Sequence, residues 1–267
     1  MRLYCQVPIM MDLDNPSIKR YLGIVKKWHD KVKREDTQID IYPLTKGICN
    51  IKQLDYPGMR FLNDRELLLD MLEAESKGYD GIIDMCYFDP ALRAARQVLN
   101  IPVVGCSESS MHLAAFMGRR FATITSNAHY VQGIEENVYK YGLQELAIFH
   151  LPVRAIDISG DDFINSFMSG DYSMILKSFK EIAVGCINDG AEVLIAGCGL
   201  LSPLLTDEGV LGVEGVPVID PMLAAIKFGE LMVDLCKAGL PFVSRKGLYF
   251  KAPNSELKDF LKGSFNR

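Results

Sequence analysis

Gly78-Tyr79-Asp80-Gly81-Ile82-Ile83-Asp84-Met85-Cys86 returns in altered form as Gly190-Ala191-Glu192-Val193-Leu194-Ile195-Ala196-Gly197-Cys198. Glycine, acid, apolar positions, isoleucine and cysteine keep their places, displaced by 198 − 86 = 112 residues. Each copy reads as a turn glycine feeding a short apolar run, the pattern of a buried parallel strand. The echo continues downstream, where Ile101-Pro102-Val103-Val104-Gly105 is matched by Val216-Pro217-Val218-Ile219-Asp220, and Met111-His112-Leu113-Ala114-Ala115 resembles Pro221-Met222-Leu223-Ala224-Ala225. Two such units packed face to face would relate equivalent positions by a pseudo-twofold axis. One thiol would then stand on each side of a shared cleft.

Outward from this repeat, strand-length apolar runs alternate with helical patterns, which predicts an α/β fold with mostly parallel sheets. Strands are expected at Arg2 to Val7, Gln38 to Tyr42, Gly81 to Met85, Pro102 to Val104, Phe121 to Thr125, Ile148 to Val153, Val193 to Ala196 and Val216 to Ile219. Asn15 and Pro16 predict a helix start, with Ile18, Leu22, Val25 and Val32 on its apolar face. Asn63 with Glu66 has the form of a capping box opening a helix that ends at Gly78. Further helices are expected from Asp89-Pro90, from Ser109 to Met117, from Val131 to Gly142, from Tyr172 to Asn188 and from Met222 to Lys237. Residues 44–61 show no period and are expected to form a wandering loop or a flap over the site.

The chain of 267 residues is 49% hydrophobic, enough for two domains, and its net charge of −5 argues against a nucleic-acid partner. Lys26, Lys27, Lys31, Lys33 and Arg34 read as a solvated helix face. No apolar run reaches membrane-spanning length and the amino terminus lacks a signal-peptide pattern, so a cytoplasmic protein with no membrane partner is expected. The seven cysteines are odd in number and scattered, with no spacing that indicates a disulfide framework or a metal. Cys5, Cys106, Cys186 and Cys236 read as packing residues, and so does Cys49 in its loop.

In parallel α/β sheets the ligand crevice lies beyond the carboxyl ends of the strands, where Cys86 and Cys198 both fall. A thiol ionises at ~8.5 and is readily tuned by nearby donors and charges. Two such groups on opposite faces of a carbon suit a reaction that removes a proton from one face and returns one to the other. The backbone amides following Cys86 and Cys198 would serve to hold an enolate oxygen. Either cysteine alone reads as a small buried hydrophobe, and it is recurrence at matched positions that favours chemistry.

Cys86-Tyr87-Phe88-Asp89-Pro90-Ala91-Leu92-Arg93-Ala94-Ala95-Arg96, the Ile101 to Gly105 stretch, Glu108, Met111-His112 and Gly118-Arg119-Arg120-Phe121 resemble the hydantoin racemase branch of the aspartate/glutamate racemase superfamily. So do Gly197-Cys198-Gly199, the Val216 to Asp220 stretch and Ala224-Ala225-Ile226-Lys227. The resemblance implies two pseudosymmetric α/β domains with the active site in the cleft between them. It implies a racemase that needs no cofactor and no metal, acts on a small molecule through Cys86 and Cys198, and forms a homo-oligomer. The domains it implies are 1–113 with 221–267, and 114–220. Expected substrate contacts are Pro8, Ile9, Tyr87, Phe88, Thr125, Ser126, Gly199 and Leu200.

Two departures bear on the substrate. Where hydantoin racemases commonly carry Asn-Pro-Asn-Thr after the first strand, this chain has Val7-Pro8-Ile9-Met10, which replaces hydrogen-bonding groups with apolar ones. Amino-acid racemases of the superfamily place Thr-His after the second cysteine, and here Gly199 and Leu200 follow. A 5-substituted hydantoin or related cyclic ureide is therefore expected. The alternatives are an amino-acid racemase, an enzyme like the maleate isomerases or arylmalonate decarboxylases, and a non-catalytic binding protein. His112 and His129 read as structural, Asp89 as a helix cap, and Glu108 as either a cap or a substrate contact.

Overall fold

The structure, a computed structural model, describes residues 1–247 together with Lys251 and Gly263. The first unit runs β1 (Arg2–Gln6), α1 (Pro16–Val32), β2 (Gln38–Tyr42), α2 (Pro57–Ser76), β3 (Gly81–Asp84), α3 (Leu92–Val98), β4 (Val103–Gly105) and α4 (Cys106–Met117). The second comprises β5 (Phe121–Thr125), α5 (Val131–Lys140), β6 (Val153–Ala155), α6 (Gly160–Ser169), α7 (Ser173–Asn188), β7 (Val193–Ala196), α8 (Leu201–Asp207), β8 (Gly212–Val213) and β9 (Val216–Ile219). From there α9 (Pro221–Lys237) returns to pack on α4, β3 and β4. Of residues 248–267, expected to complete the first domain, all but Lys251 and Gly263 lie outside the described residues.

Strand order is β2-β1-β3-β4 in one sheet and β6-β5-β7-β9-β8 in the other. Among the described residues every strand pairing is parallel except that of the two-residue edge strand β8 with β9. The strands that carry the repeat, β3 and β7, occupy equivalent interior positions and are buried at every residue. Helices cover both faces of such sheets, so unbroken apolar runs rather than alternation mark these strands. The fold is thus the expected α/β architecture with mostly parallel sheets.

Several local expectations are corrected. The buried stripe of α1 is Ser17, Tyr21, Val25 and His29, while Ile18, Leu22 and Val32 are only partly covered, because α1 lies against α6, α8 and α9 at once. The Asn15 cap holds, its side chain accepting the Ser17 N–H at 2.9 Å. Helix α2 starts at Pro57, and Asn63 sits inside it: its Oδ1 accepts from Ile48 N at 2.9 Å and its Nδ2 donates to Pro8 O at 2.8 Å. A side chain that reads as a cap instead ties together two loops.

The run Ile148 to Val153 is an irregular connection with Leu151 in left-handed backbone: an isolated parallel bridge joins Ala147 to Phe121, Ile148 N donates to Phe121 O at 3.0 Å, and β6 itself begins where Val153 meets Thr123. Asp89 and Ala91 are also left-handed, so α3 begins at Leu92 and the Asp-Pro step does not cap it. Helices α6 and α8 lie where no helix was expected.

Candidate active site

The carboxyl end of β1 runs into Val7, Pro8 and Ile9, fixed by Leu44 N donating to Ile9 O at 3.0 Å and by the Asn63 link to Pro8. Beside it, β3 ends in Met85 and Cys86. The Cys86 N–H donates to Asp84 Oδ1 at 3.1 Å, and Asp89 N turns back onto Cys86 O at 3.0 Å. The Asp89 carboxylate then crosses to α4, accepting Ser107 N at 2.9 Å, Glu108 N at 2.8 Å and the Tyr141 hydroxyl at 2.6 Å. Asp89 is therefore a helix cap, though for α4 rather than α3, and burial pushes its carboxyl up to about 6. It locks the Cys86 turn to the neighbouring helix.

On the other side, β7 ends at Gly197 and Cys198. A Cβ on Gly197 would run into Thr123 and into the Tyr87 ring of the first unit, so only glycine lets the two strand ends approach this closely. The Tyr21 hydroxyl donates to Gly199 O at 3.1 Å, and Ser202 N to Cys198 O at 2.9 Å, fixing the turn after the thiol. Among the described residues the N–H groups of Tyr87 and Gly199 reach no protein acceptor.

Cys86 and Cys198 line one cavity, of about 700 Å³ empty volume with its mouth included, and are 7% and 9% exposed. Pro8, Ile9, Tyr87, Phe88, Ser126, Gly199 and Leu200 line it as well. Thr125 does not: it is fully buried at the end of β5, its hydroxyl without a hydrogen-bond partner among the described residues. Glu108 points elsewhere, pairing with Arg96.

Residues 44–61 turn out to form part of the cavity. Asn50 caps a 3-10 turn, Ile51–Asp55, through a reciprocal box with Gln53, and Ile51 and Leu54 face inward. Lys52 pairs with Asp161 on α6, and a Cβ on Gly160 would strike Ile51, so this cover rests on the second unit.

Sequence reasoning missed Tyr21, Leu54, Tyr130 and Phe163, which supply much of the apolar wall. The Asn50 to Gln53 capping box was the available signal for Leu54, and the spacing of Ser17, Tyr21, Val25 and His29 for Tyr21.

No charged side chain lines this cavity among the described residues. Burial, reinforced by Asp84 two residues away and opposed by the Phe88 N–H, holds the Cys86 thiol well above its ordinary range. Among the described residues no group of three or more His, Cys, Asp or Glu side chains gathers to hold a metal ion, and no helix is long and apolar enough to cross a membrane.

The profile of the Asp/Glu/Hydantoin racemase family matches residues 31–229. The chain belongs to this family. A hydantoin racemase of Pseudomonas sp. (strain NS671) is 30% identical over 211 residues, which are 76% of this chain and 77% of that one. A hydantoin racemase of Rhizobium meliloti is 32% identical over 167 residues, 62% of this chain and 66% of that one. Among solved structures, an allantoin racemase from Klebsiella pneumoniae superposes with a TM-score of 0.75 at 23% identity, covering 95% of this chain and 94% of that one. One from Pseudomonas fluorescens gives 0.76 at 22%, covering 95% and 97%. Those two share the fold. Family membership makes the protein an isomerase of the racemase type.

Proposed function

We propose that this chain is a cofactor-independent racemase of a 5-substituted hydantoin or related cyclic ureide, with Cys86 and Cys198 as its acid/base pair. The observation that carries this reading is that both thiols open onto one cavity at the ends of equivalent strands. One thiolate takes the proton from the carbon beside the carbonyl, the electron pair moves onto the carbonyl oxygen as an enolate, and the opposite thiol returns a proton to the other face. The two sulfurs end with their protonation exchanged, ready for the reverse reaction. The Tyr87 and Gly199 N–H groups, which reach no acceptor among the described residues, are the donors offered to the enolate oxygen.

A cavity without charged side chains favours a neutral ring over a free amino acid, whose carboxylate and ammonium would both lose hydration with nothing to replace it. Val7, Ile9, Leu54 and Phe163 favour an apolar substituent on that ring. Incubation of a single enantiomer of a 5-benzyl hydantoin in deuterium oxide tests the reading. Loss of optical rotation together with deuterium at C5 supports it; racemisation without deuterium, or none with any hydantoin, contradicts it.

A further inference from the structure

A second cavity, with about 970 Å³ of empty volume, adjoins the first. It lies between α2, the turn before α3, and α5, and shares Pro8, Leu54, Cys86 and Phe88 with the candidate active site. Its chemistry is the opposite of its neighbour's. Arg60, Arg93 and Lys140 line it together with Asp64, Asp89 and Glu136.

The acids are already engaged or hydrated. Asp89 accepts two hydrogen bonds in capping α4 and a third from the Tyr141 hydroxyl, Asp64 takes the Ala91 backbone N–H, and Glu136 is exposed and accepts from Gln132 at 3.4 Å. The cations are less well served. Arg93 donates to Lys140 O at 2.8 Å, and among the described residues Lys140 Nζ makes a long hydrogen bond to Asn137 Oδ1, at 3.4 Å, with the Tyr141 ring centroid 5.1 Å away and the Asp64 carboxylate attracting it through space. The Arg60 guanidinium lies 4.1 Å from the centroid of the Phe88 ring, and its Nη1 is shut off from water with no acceptor among the described residues. A buried cationic donor left unpaired is destabilising, and a planar guanidinium finds its best partner in a carboxylate.

We propose that this cavity binds a small organic carboxylate, its anionic group against Arg60 and Lys140 and its apolar body against Phe88 and Leu54, beside Cys86. Phe88 walls both cavities, so the ligand would sit behind the ring that bounds the reacting site. The carboxylate can be a free molecule or the end of a long substituent on the substrate, since both present the same group to Arg60. This assignment stands on the cavity and its cations and does not rest on the two-thiol reading.

Benzoate, with neutral benzamide as control, is the probe. Calorimetry on the full chain should show saturable benzoate binding, weakened at least about tenfold in Arg60→Gln and in Lys140→Gln, partly restored in Arg60→Lys, and absent for benzamide. Mass spectrometry of thiols alkylated by iodoacetamide should show benzoate slowing modification of Cys86 but not of Cys198. Equal binding of benzamide, affinity unchanged in both Gln variants, or equal protection of the two cysteines would overturn the assignment. Circular dichroism melts identify a variant that has failed to fold, and the other then decides. A hydantoin with a carboxylate-ended substituent, compared with its methyl ester, separates the sources: a KM rise in Arg60→Gln for the acid alone marks a substrate group, and benzoate binding undiminished by the ester marks a free ligand.

Discussion

Asp84 and Gln6 are register partners on the adjacent parallel strands β3 and β1, both fully buried, and each keeps one oxygen, Asp84 Oδ2 and Gln6 Oε1, that no donor among the described residues reaches. The repeat has Ala196 at the position equivalent to Asp84, so the carboxyl stands behind only one of the two cysteines. Burial, with Asp89 adding to it, raises the Asp84 carboxyl well above the usual carboxylate range, which favours a proton on this pair.

Asp84→Asn is therefore expected to stabilise the fold. The amide keeps an acceptor for Cys86 N and replaces the buried, unpartnered carboxylate oxygen with an uncharged group. Because the native state raises the carboxyl's pKa, the folded chain binds the proton more tightly than the unfolded chain. Wild-type stability from this group is complete below the unfolded value of ~3.9 and is lost as pH rises through the folded one. The Asn variant has no such loss. Urea titrations at pH 5 and pH 8 should show its advantage growing with pH to about 1–3 kcal/mol; an advantage that shrinks with pH would contradict this.

Asp89 satisfies two N–H groups of α4 and the Tyr141 hydroxyl at once. Asp89→Ala should lower stability by at least about 2 kcal/mol with an unchanged m-value, since a lost cap and newly orphaned donors add. Asp89→Asn should recover part of it. A loss under about 0.5 kcal/mol in urea would show that the cap matters little.

The cover formed by Ile51–Asp55 rests on Gly160 with no room for a methyl group. Gly160→Ala should displace it, raising KM about tenfold with a smaller change in kcat, because the cover shapes the cavity without meeting the reacting atoms. Steady-state kinetics on a 5-benzyl hydantoin reads this directly, and an unchanged KM would argue against it.

Ile9 is one of the apolar residues in the loop that departs from the family pattern. Ile9→Asn should shift relative kcat/KM from apolar hydantoins toward allantoin by about tenfold or more, by supplying hydrogen bonds to a polar substituent. Competition between the two substrates measures the shift; no change would remove Ile9 from the determinants of specificity.

The architecture was legible because the repeat encodes it twice: β3 and β7 occupy the stretches that open the sequence argument, and strand-length apolar runs elsewhere gave β2, β5 and β9. Misreadings arose where tertiary contacts outweigh local pattern. Asn63 has the form of a cap yet is drawn inward by Pro8 and Ile48, and Asp89 caps a helix distant in sequence. Around the cavity, residues adjacent to the cysteines could be named from sequence because they follow the strands. Tyr21, Tyr130 and Phe163 come from helices and turns that only folding brings there. Thr125 and Ser126 differ by one position at a strand end, so one faces the cavity and the other the interior.

The most direct measurement is racemisation by Cys86→Ala and by Cys198→Ala, each shown by circular dichroism to be folded, followed polarimetrically from both enantiomers of one hydantoin. Each single variant should lose about 10²–10⁴-fold or more in kcat from either starting enantiomer, since inversion needs a proton partner on both faces. Either variant racemising within about tenfold of the wild-type rate would contradict the two-thiol mechanism.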